Sequence, residues 1–357
     1  MALKAGIIGC GGIANQKHMP SIQKTGMVDM VAFCDAKPER AKESAEKYGT
    51  ANATTATDYK ALISDPAIDI IYVLTPNKSH AAITIAALEA GKHVMCEKPM
   101  AKTSAEARAM VAAAKKSGKV LTIGYQNRFK PESKYIKQCA DRGDFGDIYF
   151  SKAHALRRRA VPTWGVFLDE EEQGGGPLID IGTHALDLAL WFMGKYKPKS
   201  VMGSVFHKLN GNGDCGNAFG PWEPKEFIVE DSAFGFVTME DGSTIILESS
   251  WALNTLEFGE AKATICGTKG GADMWDGVRI NGDDFGKLYQ KSPALGAAGV
   301  DFFTGGGNSP EVEEQLSFLN AITKGTPLTV LPEEACIVTE ILEAIYESAK
   351  TGKLVTF

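Results

Sequence analysis

The chain has 357 residues, a length that suits about two domains. Its 44% hydrophobic and 23% charged residues exclude a disordered or fibrous chain. The formal charge is -6, no basic run extends beyond Arg157-Arg158-Arg159, and no apolar stretch nears the ~18 residues of a membrane span. Neither a nucleic-acid nor a membrane partner is therefore expected.

Met1–Cys10 ends in a cysteine, as a lipoprotein signal would, but its apolar part is too short and glycines follow at once. The seven cysteines are scattered, odd in number and free of any CxxC pair. Reduced thiols in a cytoplasmic protein are expected, not disulfides or a zinc site.

Ala5–Gly9 reads as a buried strand, followed by Met30–Asp35, Ile68–Thr75, His93–Cys96 and Val120–Gly124. Between them Glu39–Tyr48, Ser79–Ala90 and Ser104–Ser117 carry apolar positions three or four apart, as amphipathic helices do. They stop at Gly49, Gly91 and Gly118, each expected to be a left-handed cap. Strands alternating with helices predict a parallel sheet covered on both faces over residues 1–125. From residue 126 onward the strand signals cluster: Ile148–His154, Lys199–Phe206, Ser232–Thr238, Thr244–Trp251 and Lys262–Cys266, with turns at Asp241-Gly242 and Lys269-Gly270. Residues 126–357 are expected to form a second domain on an antiparallel or mixed sheet. Lys208–Lys225, rich in Gly and Asn, reads as a loop. Val312–Lys324 and Glu333–Lys350 return to helical periodicity and are able to pack back on the first domain.

The first strand runs into Gly9-Cys10-Gly11-Gly12-Ile13-Ala14, which fits GxGxxA. Gly9 permits the tight turn, Gly11 a close approach of pyrophosphate to the backbone, and Ala14 close packing of helix on strand. Gly12 and Ile13 open the helix whose free N–H groups face the phosphates. Asp35, 21 residues beyond Ala14 at the end of the second strand, suits the adenosine ribose hydroxyls. Its charge repels a 2′-phosphate, favouring NAD over NADP, although Lys37 and Arg40 just downstream soften that preference.

Four further features stand in order. They are Thr75-Pro76-Asn77-x-x-His80, Glu97-Lys98-Pro99, Gly124-Tyr125-Gln126-Asn127-Arg128-Phe129, and Gly174-Gly175-Gly176 running through Asp180 to His184. Together they closely resemble the Gfo/Idh/MocA oxidoreductases over nearly the whole chain. The resemblance implies an α/β protein: an N-terminal Rossmann doubly wound parallel sheet, then an α/β domain whose large open, mainly antiparallel sheet serves oligomer contacts. A homodimer or homotetramer would follow. The resemblance places the nicotinamide near Thr75, Pro76, Asn77, His80, Glu97, Lys98 and Gln126. It matches Lys98, Asp180 and His184 to the family's catalytic lysine, aspartate and histidine. The chain departs from the pattern at Lys208–Lys225 and at Thr304-Gly305-Gly306-Gly307-Asn308, where substrate-side loops are expected to differ.

Oxidising a secondary alcohol removes a hydride to the nicotinamide and a proton from the hydroxyl. A histidine, with an unperturbed pKa of about 6.5, suits the proton step, and His184 is the candidate. Asp180, four residues earlier, would orient it or hold the hydroxyl. Lys98 would stabilise alkoxide charge, or take the proton itself. Arg128 and Trp164 complete the candidate substrate contacts, an aromatic face suiting the apolar C–H side of a polyhydroxylated ring. On residues alone, Lys98 would be a surface lysine, while His184 and Trp164 would be core. Asp180, His184 and Asp187 have metal-like spacing, but no fourth ligand follows and hydride transfer needs no metal. No metal is expected. The expected activity is NAD-dependent oxidation or reduction at a hydroxyl-bearing carbon of a sugar, glycoside, sugar acid or cyclitol. Redox-assisted glycoside cleavage and non-catalytic NAD binding are the alternatives.

Overall fold

A computed structural model describes residues 2–295 and 308–357, which fall into two compact units. The first is Met1–Phe129 with Asn308–Cys336, the second Lys130–Gly307 with Ile337–Phe357. The division therefore differs from a single cut at 125, because a late segment belongs to the first unit. Thr304–Gly307 of the divergent glycine stretch lies outside the described residues.

In the first unit β1 (Leu3–Ile8), β2 (Val28–Cys34), β3 (Thr54–Ala56), β4 (Ile70–Val73), β5 (His93–Cys96) and β6 (Leu121–Ile123) pair in parallel. Their order is β3-β2-β1-β4-β5-β6, the doubly wound arrangement, whose order reverses beside β1 and opens a ligand crevice at the carboxyl ends. All four residues of β4, Ile-Ile-Tyr-Val, are buried, as a strand covered on both faces requires. The helices are α1 (Met19–Thr25), α2 (Pro38–Tyr48), α3 (Lys60–Ser64), α4 (His80–Glu89) and α5 (Ser104–Ser117). Thr103 and Glu106 form a reciprocal capping box at the start of α5. Gly91 and Gly118 are left-handed, at φ +79° and +66°. Gly49 is not: its φ is −76°. A Cβ there would come within 2.6 Å of Ala45 O and Ala53 Cβ, so close packing calls for this glycine, not handedness.

The second unit contains α6 (Pro131–Arg142), α7 (Glu170–Gln173), α8 (Thr183–Met193) and the strands β7 (Ile148–Leu156), β8 (Pro198–Phe206), β9 (Ser232–Met239), β10 (Thr244–Ser250) and β11 (Gly259–Gly267). β12 (Gly270–Asp273), β13 (Arg279–Asp284), β14 (Lys287–Lys291) and β15 (Val355–Thr356) complete a nine-stranded sheet. Only β7 and β10 pair in parallel; all other neighbours are antiparallel. The apolar α8 covers one face against β7 and β11. On the other face Met202 and Phe236, paired across β8 and β9, stand about half exposed.

α9 (Pro310–Lys324) belongs to the first unit, where Phe318 and Leu319 join Ile7, Phe33, Tyr72 and Met95 in one buried cluster. The last helix, α10 (Pro332–Thr351), has its first residues counted with the first unit and the rest with the second.

Candidate functional site

The glycine turn after β1 is built as a ligand-facing surface. Gly9 has φ +93°, and a Cβ there would strike Leu74 O at 2.5 Å. Gly11 and Gly12 face open space, and Ile13 is exposed while Ala14 is fully buried. The Asp35 carboxylate at the end of β2 accepts hydrogen bonds from Cys10 N at 2.8 Å and Lys37 N at 2.9 Å. Asp35 thus stands against the turn, and the backbone of the turn approaches a ligand without steric hindrance. These residues fit a dinucleotide.

Behind the turn lies a buried ionic network. The chain after Ala14 enters a π-type turn, Ala14–His18, that points Lys17 and His18 inward. The Lys17 Nζ lies 2.8 Å from Glu97 Oε1, 3.0 Å from Glu314 Oε2 and 3.3 Å from Gln126 Oε1. His18 Nε2 is 2.6 Å from the same Glu97 oxygen, and Gln315 Nε2 is 3.2 Å from His18 Nδ1. Burial opposes every charge here. At Lys17 the carboxylates Glu314 and Glu97 outweigh it and raise the ammonium's pKa. At Glu97 Lys17 and His18 outweigh it and hold the carboxyl well below its usual range. At Glu314 burial wins, with Lys17 pulling against it and Glu97 adding to it, and the carboxyl is pushed up to about 7.

Glu97 Oε2 accepts from Lys98 N at 3.0 Å, so the network fixes the backbone that carries the half-buried Lys98. His80 is fully buried, with Nδ1 2.8 Å from Pro99 O and Nε2 2.8 Å from Thr75 O. A neutral imidazole carries one N–H and satisfies only one of the two carbonyls. Glu97 and His80, expected at the nicotinamide, thus bond to the loops that carry Lys98, Thr75 and Pro99. Thr75 is half-buried, Pro76 exposed and Asn77 buried at the head of the turn leading into α4.

In the second unit Asp180 lies in a π-type turn, Leu178–Gly182, that passes directly into α8 and His184. Glu230, itself buried, accepts from Gly176 N at 2.8 Å, Leu178 N at 3.0 Å and Tyr346 Oη at 2.8 Å. Burial raises the Glu230 carboxyl's pKa against the pull of those donors. Trp251 Nε1 donates to Asp180 Oδ2 at 3.1 Å. Asp180 therefore sits on a turn fixed from behind, and His184 on the helix that continues from it.

Residues 3–125 match the model of an oxidoreductase family with an NAD-binding Rossmann fold, and residues 133–273 match the Gfo/Idh/MocA C-terminal domain. D-glucoside 3-dehydrogenase of Escherichia coli (strain K12) is 37% identical over 351 residues, covering 98% of this chain and 96% of that protein. The chain belongs to the Gfo/Idh/MocA oxidoreductases. Levoglucosan dehydrogenase of Pseudarthrobacter phenanthrenivorans is 32% identical over 57% of this chain and 54% of its own length. Among solved structures, aldose-aldose oxidoreductase from Caulobacter crescentus complexed with glycerol superposes with a TM-score of 0.80 at 25% identity, covering 100% of both chains. A levoglucosan dehydrogenase complex with NADH and levoglucosan gives 0.84 at 24% identity, covering 100% of this chain and 99% of the other, and shares the fold.

As a Gfo/Idh/MocA member the chain is an NAD-dependent oxidoreductase. Arg128, a candidate substrate contact, is fully buried, ion-paired to Glu334 Oε2 at 2.5 Å and hydrogen-bonded to Thr329 O at 2.9 Å. Its guanidinium ties the late segment into the first unit. Of the arginine triplet, Arg157 grips Glu260 with two hydrogen bonds of 2.6 and 2.8 Å, and Arg159 donates to Asn254. Trp164 is not core: it is 52% exposed, edge-to-face with Phe219 at 4.7 Å and with Phe167 at 5.7 Å. All seven cysteines are free. No cluster of three potential metal ligands forms among the described residues, nor is any described helix long and apolar enough to cross a membrane.

Lys17, His18, Glu314, Glu230 and Tyr346 escaped the sequence reading. Ala14, Lys17 and His18 at positions i, i+3 and i+4 share the core face of the first helix, a signal that was available for the first two. Glu314 and Glu230 carry no local mark.

Proposed function

We propose that this oxidoreductase exchanges a hydride between NAD and a secondary hydroxyl carbon of a glycoside, sugar, sugar acid or cyclitol. The observation that carries the substrate class is the near full-length likeness to D-glucoside 3-dehydrogenase. NAD supplies the hydride acceptor or donor, and Gly9, Gly11, Gly12, Ile13 and Asp35 are the residues that would hold it. His184 takes or returns the hydroxyl proton. Asp180, oriented by Trp251, directs that exchange, and Lys98 offsets negative charge on the oxygen. The anchoring of Glu97 beneath Lys98 and of Glu230 beneath the Asp180 turn supports these roles, since catalytic groups need support to stay in place. The relatives lend no support to redox-assisted glycoside cleavage or to a non-catalytic regulator.

The half-exposed apolar face carrying Met202 and Phe236 supports pairing of copies as a homodimer or homotetramer, and the free cysteines suit the cytoplasm. The decisive experiment incubates the protein with NAD and a panel of glucosides, free sugars and inositols while following reduced-nicotinamide absorbance. Steady growth with at least one member is expected. Silence across the panel overturns the proposal, and aglycone release without growth marks the cleavage reaction instead.

A further inference from the structure

Two segments of the second unit meet around Trp164. The Lys208–Lys225 loop is not slack: Trp222 is buried against Phe227 at 5.7 Å and donates to Asn210 O at 2.8 Å, while Asn210 donates to Phe227 O and Val229 O at 2.9 and 2.7 Å. The same loop is fastened to the strand exit before Trp164. Asn217 accepts from Val161 N at 2.8 Å and donates to Val161 O at 3.0 Å, and Thr163 Oγ1 donates to Phe219 O at 2.7 Å.

The result is a fixed corner of two rings. Trp164 is 52% and Phe219 45% exposed, with planes 84° apart. A single exposed aromatic needs no explanation, but two held together by rigid loops and left half in water present an apolar surface to a ligand. Behind Trp164 the rings continue to Phe167 at 5.7 Å and from Phe167 to Trp251 at 6.3 Å, whose Nε1 meets Asp180. Two aromatic layers thus separate the corner from Asp180. It meets a part of the substrate other than the carbon that exchanges hydride.

We propose that Trp164 and Phe219 form a platform for the aglycone of a glycoside substrate, specific for a flat or apolar group. This rests on the dehydrogenase reading above. A ring lying on one wall meets the edge of the other, while the sugar's hydroxyls remain on the Asp180 side.

The test compares kcat/KM for phenyl and methyl D-glucopyranosides, both anomers, in the wild type, Phe219→Ala and Phe219→Leu. Saturation-transfer NMR of the phenyl glucosides on the resting protein accompanies it. The wild type is expected to favour phenyl over methyl by about tenfold, the scale of one good apolar contact in a pocket. Phe219→Ala brings that ratio near one and extinguishes transfer to the phenyl protons; Phe219→Leu falls between. A ratio that survives Phe219→Ala, a wild type indifferent to the aglycone, or transfer confined to sugar protons overturns the platform while the dehydrogenase reading stands. If no glucoside is oxidised, the glycoside part of that reading fails instead, and transfer to the phenyl protons still decides the platform.

Discussion

Lys98 stands on backbone held by Glu97, and His184 follows the turn braced by Glu230. Lys98→Met and His184→Ala are each expected to lower kcat by about 10²- to 10⁴-fold, the usual span for a lost acid–base or charge-stabilising group. NAD affinity, measured by calorimetry, should change little; a near-wild-type rate in either variant removes that residue from the chemistry. Glu314 makes a prediction of a different kind. Its carboxyl moves from an ordinary 4.5 up to about 7, so the folded chain binds that proton more tightly than the unfolded one. Its contribution is complete below about 4.5 and is lost as the pH climbs through 7. At full value it is on the order of 3 kcal/mol. Glu97, held low, acts in the opposite sense, and its share is lost on acidification. Urea unfolding between pH 5 and 8 should show the wild type losing stability relative to Glu314→Gln; parallel profiles would contradict the assignment. Lys98, Asp180 and His184 could be proposed from the sequence because each stands in a motif of adjacent residues. Lys17 and Glu314 were not, since a buried ion pair joins positions 297 residues apart and neither end announces the other (314 minus 17).

The turn Gly174–Gly176 shows how an element is held in place from outside itself. A Cβ on Gly175 would lie 2.0 Å from Tyr346 Oη, and one on Gly176 2.4 Å from Glu230 O. Gly175→Ala is therefore expected to destabilise the chain by about 1–3 kcal/mol, the range for overpacking a tight site. It should also lower kcat, because the displaced turn leads into the one that carries Asp180. An unchanged denaturation midpoint would show that Tyr346 yields freely. The regular elements were largely legible: His93–Cys96 and Ser104–Ser117 coincide with β5 and α5. Periodicity marks where an element runs, so the failures fell at its ends. Gly49 looked like a cap and is instead a packing contact, and the short β3 offered too few residues for any period to register.

For the whole molecule, the fold class was legible from the change of rhythm near residue 125, and a return of the late helices to the first unit was allowed for, but not which helix would make it. An amphipathic stripe states that a helix is covered, not by what. Phe318, 1% exposed and edge-to-face with Tyr72 at 6.1 Å, lies where that return matters most. Phe318→Ala is expected to cost about 3–5 kcal/mol, the range for an aromatic lost from a packed core. Thermal melting with and without NAD checks it: the apo midpoint should fall, and a loss below about 1 kcal/mol would mean α9 only rests on the sheet.

The late arrival of α9 also sets an order of events during synthesis. Chains emerge from the ribosome N-terminus first, and domains usually fold as they appear. Here the dinucleotide half comes out early but lacks Glu314, Gln315 and Phe318 until β7 to β14 of the second sheet have been made. Until then the Lys17 ammonium has one of its two carboxylates missing, and one flank of the parallel sheet stays uncovered. The half that binds NAD is begun before β7 to β14 and completed only after them.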